Sequence, residues 1–256
     1  MAQTGVHIMK LLQLNVWMGR LARQIVPLIE REQPDIITAQ EVFDADGEIV
    51  FPDNTFDIAE QIRRAGGYDY VYFSPTWDMQ VSGQTVQFGN ATFSKFPIIR
   101  SETVFTSGEA MHDMTADSYV MNTRNAQFVT LQVGDSTILI VNHHGYWEAN
   151  PTGSEASVAA MQHVIDKLRT FGTMPIVIAG DMNINPNTAG MRLFDGLAED
   201  LTATYNIPST LSVLGKAQDV ACDHILVNSL VRVSDFHVFD DLVSDHKALM
   251  LEFDAS

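Results

Sequence analysis

In the first half of the chain, apolar runs of strand length alternate with segments in which apolar residues recur at helical spacing. Residues 6–16 have a strand pattern, residues 21–29 place their apolar side chains on one face of a helix, and residues 35–39 form a second strand. The other predictions for this half are a helix at residues 56–62, strands at 68–73 and 85–93, and loops at 43–55, 77–83 and 106–118.

The second half begins with a predicted hairpin. The runs 126–133 and 137–142 flank Gly134 and Asp135, a pair typical of a tight turn. Ser154 is a favourable N-cap for an amphipathic helix that ends near Gly172. Further strands are predicted at residues 119–123, 176–179, 221–227, 231–239 and 247–253, with a short helix at 190–197.

Helices flank strands in both halves of the chain, which indicates the α/β (α+β) class. We expect two packed mixed sheets covered on the outside by helices. No repeat, low-complexity tract or linker interrupts the pattern, so a single domain over residues 1–256 is expected.

The composition is that of an ordinary globular protein, with 46% hydrophobic and 18% charged residues. No apolar run approaches the roughly 18 to 20 residues that a membrane span needs, and residues 1–10 do not resemble a secretion signal. We therefore expect a soluble, cytoplasmic protein. The single cysteine, Cys222, excludes an internal disulfide, suits a reducing compartment and is expected to pack as a small buried hydrophobe.

The chain is strongly acidic. It has 15 Lys and Arg against 32 Asp and Glu, for a formal net charge of -17. Binding to nucleic acid draws mainly on Lys and Arg that neutralise phosphates, so nucleic acid is a possible but disfavoured partner. A site that binds a metal ion, by contrast, tolerates this acidity well.

Polar residues follow several predicted strands at the point where each strand ends. The clearest case is the apolar run 176–179, which is followed by Gly180, Asp181 and Asn183. The full set of strand-end residues is Asn15, Glu41, His144, Asp181, Asn183, Asp223, Asp245 and His246. The set lacks a nucleophilic Ser or Cys in a strained turn, a glycine-rich phosphate loop and Cys/His zinc spacing, which favours metal-assisted attack by water.

The oxygen-rich composition of this set indicates which metal to expect. Carboxylate and amide oxygens suit a hard cation such as Mg²⁺, for which Mn²⁺ is a possible substitute. A nearby Asp or His would handle the proton of the attacking water. Hydrolysis of a phosphate ester needs all of these groups.

Seven short motifs occur in an order that resembles the endonuclease/exonuclease/phosphatase superfamily. They are Leu14-Asn15-Val16-Trp17, Gln40-Glu41-Val42, Gly89-Asn90 with Ser94-Lys95-Phe96-Pro97, Asn142-His143-His144, Gly180-Asp181-Met182-Asn183, Asp223-His224-Ile225 and Ser244-Asp245-His246. The resemblance covers essentially the whole chain. It implies a four-layer sandwich with the site at one edge of the paired sheets.

The resemblance also implies the roles of the metal-binding and water-activating residues. Glu41 would be the principal metal ligand, with Asn15 and Asp245 beside it. Asp181 would orient or deprotonate the water, and Asn183 would hold a phosphate oxygen.

Two histidine–aspartate pairs complete the implied catalytic group. Asp245 would orient His246, whose imidazole would contact the scissile phosphate, and Asp223 would do the same for His144.

The sequence departs from the family pattern at two places. Trp17 stands where many relatives have Asn or Asp, which removes one possible ligand and is closer to the sphingomyelinase-like version of the motif. The usual Thr-His-Leu reads His143-His144-Gly145, so either histidine could be the functional one. Matching Asn142 to the family's Asn favours His144.

Four residues outside the motifs are further candidates. Arg124 is the basic residue that either contacts phosphate or has an ordinary structural role, and Trp77, Tyr146 and Trp147 either stack on a substrate or pack locally.

Three functions follow from these residues. The first is a Mg²⁺-dependent phosphoesterase that cleaves a phosphodiester in a small or modest phosphorylated substrate. The alternative is a nuclease with the same chemistry, which needs a local basic groove. A non-catalytic binding protein on the same scaffold is the remote third.

Overall fold

The computed structural model describes residues 8–45, 50–51, 54–115, 117–217 and 219–255. Within these residues the chain forms two six-stranded sheets, a two-stranded ribbon and four α-helices. The strands are β1 (Met9–Asn15), β2 (Ile36–Ala45), β3 (Val50–Phe51), β4 (Asn54–Thr55), β5 (Tyr70–Val81), β6 (Gln84–Ser94), β7 (Ile98–Ser107), β8 (Arg124–Val133), β9 (Ser136–His144), β10 (Ile176–Asp181), β11 (Glu199–Asp200), β12 (Asp223–Val227), β13 (Arg232–Val238) and β14 (Leu249–Asp254). The helices are α1 (Ala22–Glu32), α2 (Ile58–Gly66), α3 (Glu155–Leu168) and α4 (Leu201–Thr204), with 3₁₀ turns at Trp17–Gly19 and Met191–Phe194.

Both sheets are mixed. The first has the strand order β13-β14-β1-β2-β6-β5, and the second has the order β11-β12-β10-β9-β8-β7. Strand β1 runs parallel to β2, and β10 runs parallel to β9, while the other pairs in the two sheets are antiparallel. The carboxyl ends of parallel neighbours meet at one edge of each sheet, so polar residues that end these strands are brought together there.

Three apolar layers follow from the side-chain alternation along the strands. Leu11 of β1 packs between the two sheets, whereas Leu12 faces the helices α1 and α2 on the outside of the first sheet. On the outside of the second sheet, α3 packs its apolar face, including Val164, on side chains such as Val141 of β9. The predicted sandwich of two packed mixed sheets with outer helices is confirmed.

The helix α3 begins at the predicted N-cap. The side chain of Ser154 accepts hydrogen bonds from the backbone N–H groups of Ala156 and Ser157, and the Ser157 hydroxyl accepts one from the Ser154 N–H in return. This reciprocal arrangement satisfies N–H groups that the first turn of a helix otherwise leaves unpaired. Among the described residues, no helix is long and apolar enough to cross a membrane.

A network of buried amides joins the sheets near their common edge. The side chain of Gln40 donates to Asn142 Oδ1 at 2.7 Å, and Asn142 Nδ2 donates to Gln127 Oε1 at 3.0 Å. Gln127 in turn donates to the backbone oxygens of Tyr72 and Asn90, each at 2.9 Å. Because polar groups are costly to bury unpaired, this network requires one relative position of the two sheets.

One predicted loop and one predicted strand were wrong. Residues 77–83 were predicted as a loop, but β5 continues to Val81 because Trp77 stacks on Phe88 of β6 with ring centroids 4.6 Å apart. Residues 119–123 were predicted as a strand, but they form turns.

Two further boundaries changed. The predicted loop at residues 43–55 is shorter because β2 extends to Ala45, and residues 46–49 and 52–53 lie outside the described residues. The short helix predicted at residues 190–197 is a 3₁₀ turn at Met191–Phe194.

Replacement of Gln127 by leucine tests the buried amide network. The substitution removes the acceptor of the Thr92 hydroxyl, one of several acceptors of the Asn142 amide, and the side-chain donor to two buried carbonyl oxygens, and each buried group left unpaired costs about 1–3 kcal/mol. We expect a loss of roughly 3 kcal/mol or more in the free energy of urea unfolding. The matched control is Gln80→Leu on the exposed part of β5, for which we expect a change within about 0.5 kcal/mol. Equal effects of the two substitutions would contradict the proposed importance of the network.

Candidate active site

Glu41 enters the site through an irregularity in β2. The register between β2 and β6 shifts between Ala39 and Val42, and Glu41 has a backbone φ of 55°. A left-handed conformation is unusual for a residue other than glycine and costs energy that the surrounding structure must offset. The bulge places the Glu41 carboxyl in the charge environment of Asp245, Asp181 and His246.

Asp181 is the centre of the site. It ends β10 and is 1% exposed. Its Oδ2 accepts a hydrogen bond from Asn15 Nδ2 at 3.1 Å, and it lies 3.7 Å from the Nε2 atoms of both His144 and His246. Its Oδ1 accepts from the backbone N–H of Asn183 at 3.0 Å. One carboxylate is therefore held between two imidazoles that come from different parts of the chain.

Asn15 is held in place by Trp17, the residue that stands where many relatives have Asn or Asp. The backbone N–H of Trp17 donates to Asn15 Oδ1 at 3.0 Å, and Trp17 itself has a φ of 48°. The Trp17 indole lies outside this contact and packs under the guanidinium of Arg20, 4.7 Å from the ring centroid. Trp17 thus contributes its backbone to the site.

The turn after β10 is shaped by close backbone packing. Asn183 has a φ of 57° and donates through Nδ2 to the carbonyl oxygen of Gly145 at 3.0 Å. The Nε of the buried Arg124 donates to the same oxygen at 3.0 Å. A Cβ atom at Gly145 would lie 2.2 Å from the carbonyl oxygen of Met182, so only glycine fits there. Gly145 therefore serves backbone packing.

His246 is held by Asp223, and not by Asp245 as the family resemblance implied. The Nδ1 of His246 lies 2.8 Å from Asp223 Oδ2, which also accepts a hydrogen bond from the Thr210 hydroxyl at 2.8 Å. His246 forms an isolated antiparallel bridge with Leu211, and successive side chains of such extended backbone point to opposite sides. Among the described residues, no hydrogen bond joins Asp245 to the neighbouring imidazole.

Asp245 instead adds its charge to Glu41. The Ser244 hydroxyl donates to Asp245 Oδ1 at 3.1 Å, and the backbone oxygen of Asp245 accepts from Ser212 N–H at 2.8 Å. Among the described residues, neither Asp245 nor Glu41 forms an ion pair with a lysine or arginine.

The pairing of Asp223 with His144 was also wrong. Asp223 is the register partner of Asp181 on one side of β10, and His144 is its register partner on the other side. Strand β10 lies between Asp223 and His144, so two inter-strand spacings separate them, which corresponds to roughly 10 Å. The described residues give His144 no carboxylate partner within hydrogen-bonding distance, and Asp181 at 3.7 Å is the carboxylate it faces.

Of the two adjacent histidines, His144 lies in the site and His143 does not. His143 Nε2 contacts the Thr106 hydroxyl at 3.3 Å, its Nδ1 has no hydrogen-bond partner, and burial together with Arg124 lowers its pKa to about 3. Burial and the positive charge of Arg124 also hold the pKa of His144 well below its ordinary value. The lowered pKa values favour the neutral form of both imidazoles.

The site carboxyls repel one another in a buried position. Burial is the main cause that raises the pKa of Glu41, Asp181 and Asp245, and neighbouring carboxylates raise each of them further. Burial alone would lower the pKa of His246, but Asp223 and Asp181 together raise it well above its ordinary value. This surplus of negative charge fits a hard divalent cation, with Glu41 and Asp245 as oxygen donors and Asn15 as a third after rotation of its amide, because its Oδ1 here accepts from the Trp17 N–H.

Two contributors have no signature in the sequence. The region before residue 217 lacks a hydrophobic period, yet residues 210–212 pair with residues 245–247 through two backbone hydrogen bonds and a bridge. The Thr210 hydroxyl from this segment fixes Asp223. Cys222 is buried as expected, but its Sγ lies within 4.8 Å of ligand atoms of both Asp181 and His246.

The loops beside the site carry aromatic, apolar and acidic residues. Asn122 makes two hydrogen bonds to the backbone of Trp147, and the Lys216 amine lies 5.6 Å from the Trp147 ring centroid. Trp147 therefore packs locally, and Trp77 packs in the aromatic cluster with Phe88. The exposed large apolar residues of these loops are Tyr119, Val120, Met121, Trp147, Val213 and Leu214.

The sequence of the chain matches that of a known protein family. A sequence profile described as the Endonuclease/Exonuclease/phosphatase family matches residues 12–246. Among curated protein sequences, none shows significant similarity to the chain.

Many solved structures share the fold. A family protein from Bacteroides thetaiotaomicron is 18% identical with a TM-score of 0.72, and the match covers 96% of this chain and 95% of that one. A mannosyl-6-phosphatase from the same organism is 17% identical with a TM-score of 0.71, covering 96% and 99%. The human Nocturnin catalytic domain, solved with bound sulfate, is 14% identical with a TM-score of 0.69, covering 97% and 95%. At these identities the likeness is one of fold.

Replacement of Gly145 by alanine tests the packing of the turns around Asp181. The added Cβ would clash with the Met182 backbone, which has no flexible end to move aside, so we expect a loss of about 2 kcal/mol in the free energy of unfolding. Gly172→Ala is the matched control because a Cβ there has open space and the φ angle is not left-handed. A Gly145→Ala variant as stable as this control would show that the two turns are not in firm contact.

Proposed function

The chain belongs to the endonuclease/exonuclease/phosphatase family, and we propose that it is a Mg²⁺-dependent hydrolase of phosphodiesters. Members of this family are hydrolases that act on phosphate esters. The observation that carries the proposal is the Asp181 carboxylate between two imidazole Nε2 atoms, each 3.7 Å away, beside the oxygen donors Glu41, Asp245 and Asn15.

Each part of this arrangement has a role in hydrolysis. A divalent cation held by Glu41, Asp245 and Asn15 would polarise a phosphoryl oxygen and stabilise charge on the leaving oxygen. Asp181 orients the attacking water and accepts its proton, because it is the central carboxylate of the site. His246 donates a hydrogen bond from Nε2 to a phosphate oxygen, since Asp223 occupies its Nδ1.

The remaining polar groups would hold the substrate in position. His144 presents a neutral imidazole on the other side of Asp181, and Asn183 and Arg124 converge on the Gly145 oxygen. Arg124 is the arginine whose charge interacts with both Glu41 and Asp181, which makes it a cation available to phosphate. These groups act by position and charge and need no covalent intermediate.

The balance of charge favours a diester over a monoester. Four carboxyls, those of Glu41, Asp181, Asp223 and Asp245, face two cationic side chains, Arg124 and His246. A bound divalent cation would bring this set near neutrality, so a substrate with one negative charge meets less repulsion than a monoester with two.

The loops around the site favour a small substrate over nucleic acid. The loops that carry Lys216 and Trp147 also contain acidic residues. Their exposed large side chains are apolar or aromatic: Tyr119, Val120, Met121, Trp147, Val213 and Leu214. A polynucleotide is bound mainly through Lys and Arg contacts with its phosphates, and these loops do not supply them among the described residues. Nuclease activity remains the alternative to be tested.

Hydrolysis of bis-p-nitrophenyl phosphate tests the proposed chemistry. We expect turnover with Mg²⁺ or Mn²⁺, its loss in EDTA, and recovery when the metal is restored. His246→Ala removes a hydrogen-bond donor aimed at the reacting phosphate and should lower kcat by about 10²- to 10³-fold. Glu41→Ala should raise the metal concentration needed for half-maximal activity, whereas His163→Ala on the exposed face of α3 should change neither quantity.

The substrate panel separates the alternatives. It should contain p-nitrophenyl phosphate, sugar phosphates, nucleotides, phospholipids and plasmid DNA. Inactivity of the metal-loaded protein toward every ester would refute the enzyme assignment. Plasmid nicking at physiological salt that depends on Glu41 and exceeds hydrolysis of the small diesters would favour the nuclease.

A double-mutant cycle tests the corrected pairing of Asp223. Because Asp223 acts through His246, we expect Asp223→Ala and His246→Ala to be strongly non-additive in their effects on kcat/KM. Asp223→Ala and His144→Ala should be closer to additive, since β10 separates the two side chains. Stronger coupling of Asp223 to His144 than to His246 would contradict the observed geometry.

A further inference from the structure

Cys222 occupies a polar position that its burial does not explain. It is 4% exposed, yet it belongs to none of the three apolar layers. Its Sγ lies 3.7 Å from Asp223 Oδ2 and 3.9 Å from the Thr210 hydroxyl. A buried free cysteine usually packs as a small hydrophobe, whereas this thiol borders the charged groups of the active site.

The thiol is one of three potential metal ligands in this corner. Ligand atoms of Asp181, Cys222 and His246 all lie within 4.8 Å of one another, and all three residues are buried. Tetrahedral zinc with bonds of about 2.0–2.3 Å separates its ligand atoms by about 3.3–3.6 Å. The distance of 3.7 Å from Asp181 Oδ2 to His246 Nε2 is slightly wider than this, and Cys222 Sγ lies within 4.8 Å of ligand atoms of both residues, so the three side chains would have to move inward to bind one ion.

The surroundings favour a metal on this set. Asp223 holds Nδ1 of His246 at 2.8 Å, which is the carboxylate–histidine arrangement that orients an imidazole so that Nε2 can ligate a metal. Three protein ligands that include a thiol and an imidazole suit a soft or borderline cation. Mg²⁺ prefers oxygen ligands and keeps its waters, so the same set discriminates against the cation expected at Glu41.

We propose that Asp181, Cys222 and His246 form a binding site for a thiophilic divalent cation such as Zn²⁺, and that its occupation inhibits the enzyme. The inhibition follows because Asp181 and His246 are then coordinated and no longer free to act on water and phosphate. Binding to the site is independent of the proposed function, whereas the inhibition rests on it.

Cobalt spectroscopy of the full-length protein tests the binding. Co²⁺ is a spectroscopic substitute for Zn²⁺, and we expect a thiolate-to-cobalt charge-transfer band in the near ultraviolet that Zn²⁺ removes by competition. The band should vanish in Cys222→Ser and Cys222→Ala. Loss of a direct ligand should weaken Zn²⁺ binding by more than the roughly 10- to 100-fold that loss of an outer partner costs. His112→Ala, which removes an exposed imidazole 2.6 Å from Asp78, is the control for adventitious zinc and should keep the band.

Inhibition is measured against each variant's own Mg²⁺-dependent rate. Wild type and His112→Ala should be inhibited at a Zn²⁺ concentration at least about 100-fold below that needed for the two Cys222 variants. Absence of the cobalt band, with equal Zn²⁺ affinity in wild type and both Cys222 variants, would overturn the site. Equal inhibition of all variants would overturn the inhibitory role. A band in a protein that hydrolyses no ester would support the site while refuting the proposed function.

Discussion

The buried amide network between the two sheets is the constraint on which the site depends. It runs from Gln127 through Asn142 and Gln40 to Gln13, whose Nε2 lies 3.3 Å from Asp223 Oδ1. Apolar layers tolerate small shifts of one sheet over the other, because dispersion and burial have little directionality. Hydrogen bonds of about 3 Å do not tolerate such shifts, since each misplaced buried partner is left unpaired.

This constraint explains how residues far apart in sequence form one site. Asp181 and His144 end strands of one sheet, and Asn15 and Glu41 come from strands of the other. The contact from Asn15 to Asp181 crosses between the sheets and is 3.1 Å long. A network that fixes the relative position of the sheets therefore also fixes the separation of the proposed metal donors from the proposed water-activating carboxylate.

Much of this arrangement was predictable from the residue pattern. Strand periodicity and turn residues located most of the sheet strands and the hairpin β8–β9, and polar residues at strand ends identified the members of the site. The partners of those residues were less accessible, because pairing depends on side-chain direction and on strand order. Asp245 and His246 are adjacent in the chain and share no hydrogen bond, while Asp223 and His246 are 23 residues apart and share a 2.8 Å contact.

The segment at residues 209–212 shows a different limit. It has no apolar period because it packs by backbone bridging to residues 245–247 and by the Thr210 hydroxyl, and neither device leaves a periodic signal. The left-handed backbone of Glu41 also leaves no signal in the sequence, since Glu does not favour this conformation as Gly or Asn does.

The acidity of the chain and its proposed affinity for phosphate are compatible because charge acts locally. Arg124 is 8% exposed, and its charge interacts with Glu41 and Asp181 at short range, where screening by salt is weak. The surplus of acid elsewhere on the chain is largely exposed and therefore screened beyond roughly 10 Å. A cation bound in the site would offset the charge of its carboxyls, and the cation we propose for each corner follows from the neighbouring donors: oxygens alone around Glu41 and Asp245, oxygen with nitrogen and sulfur at Asp181, His246 and Cys222. The single cysteine, Cys222, thus gives the Asp181 and His246 side of the site a sulfur donor that the Glu41 and Asp245 side lacks, so the two sides favour different cations.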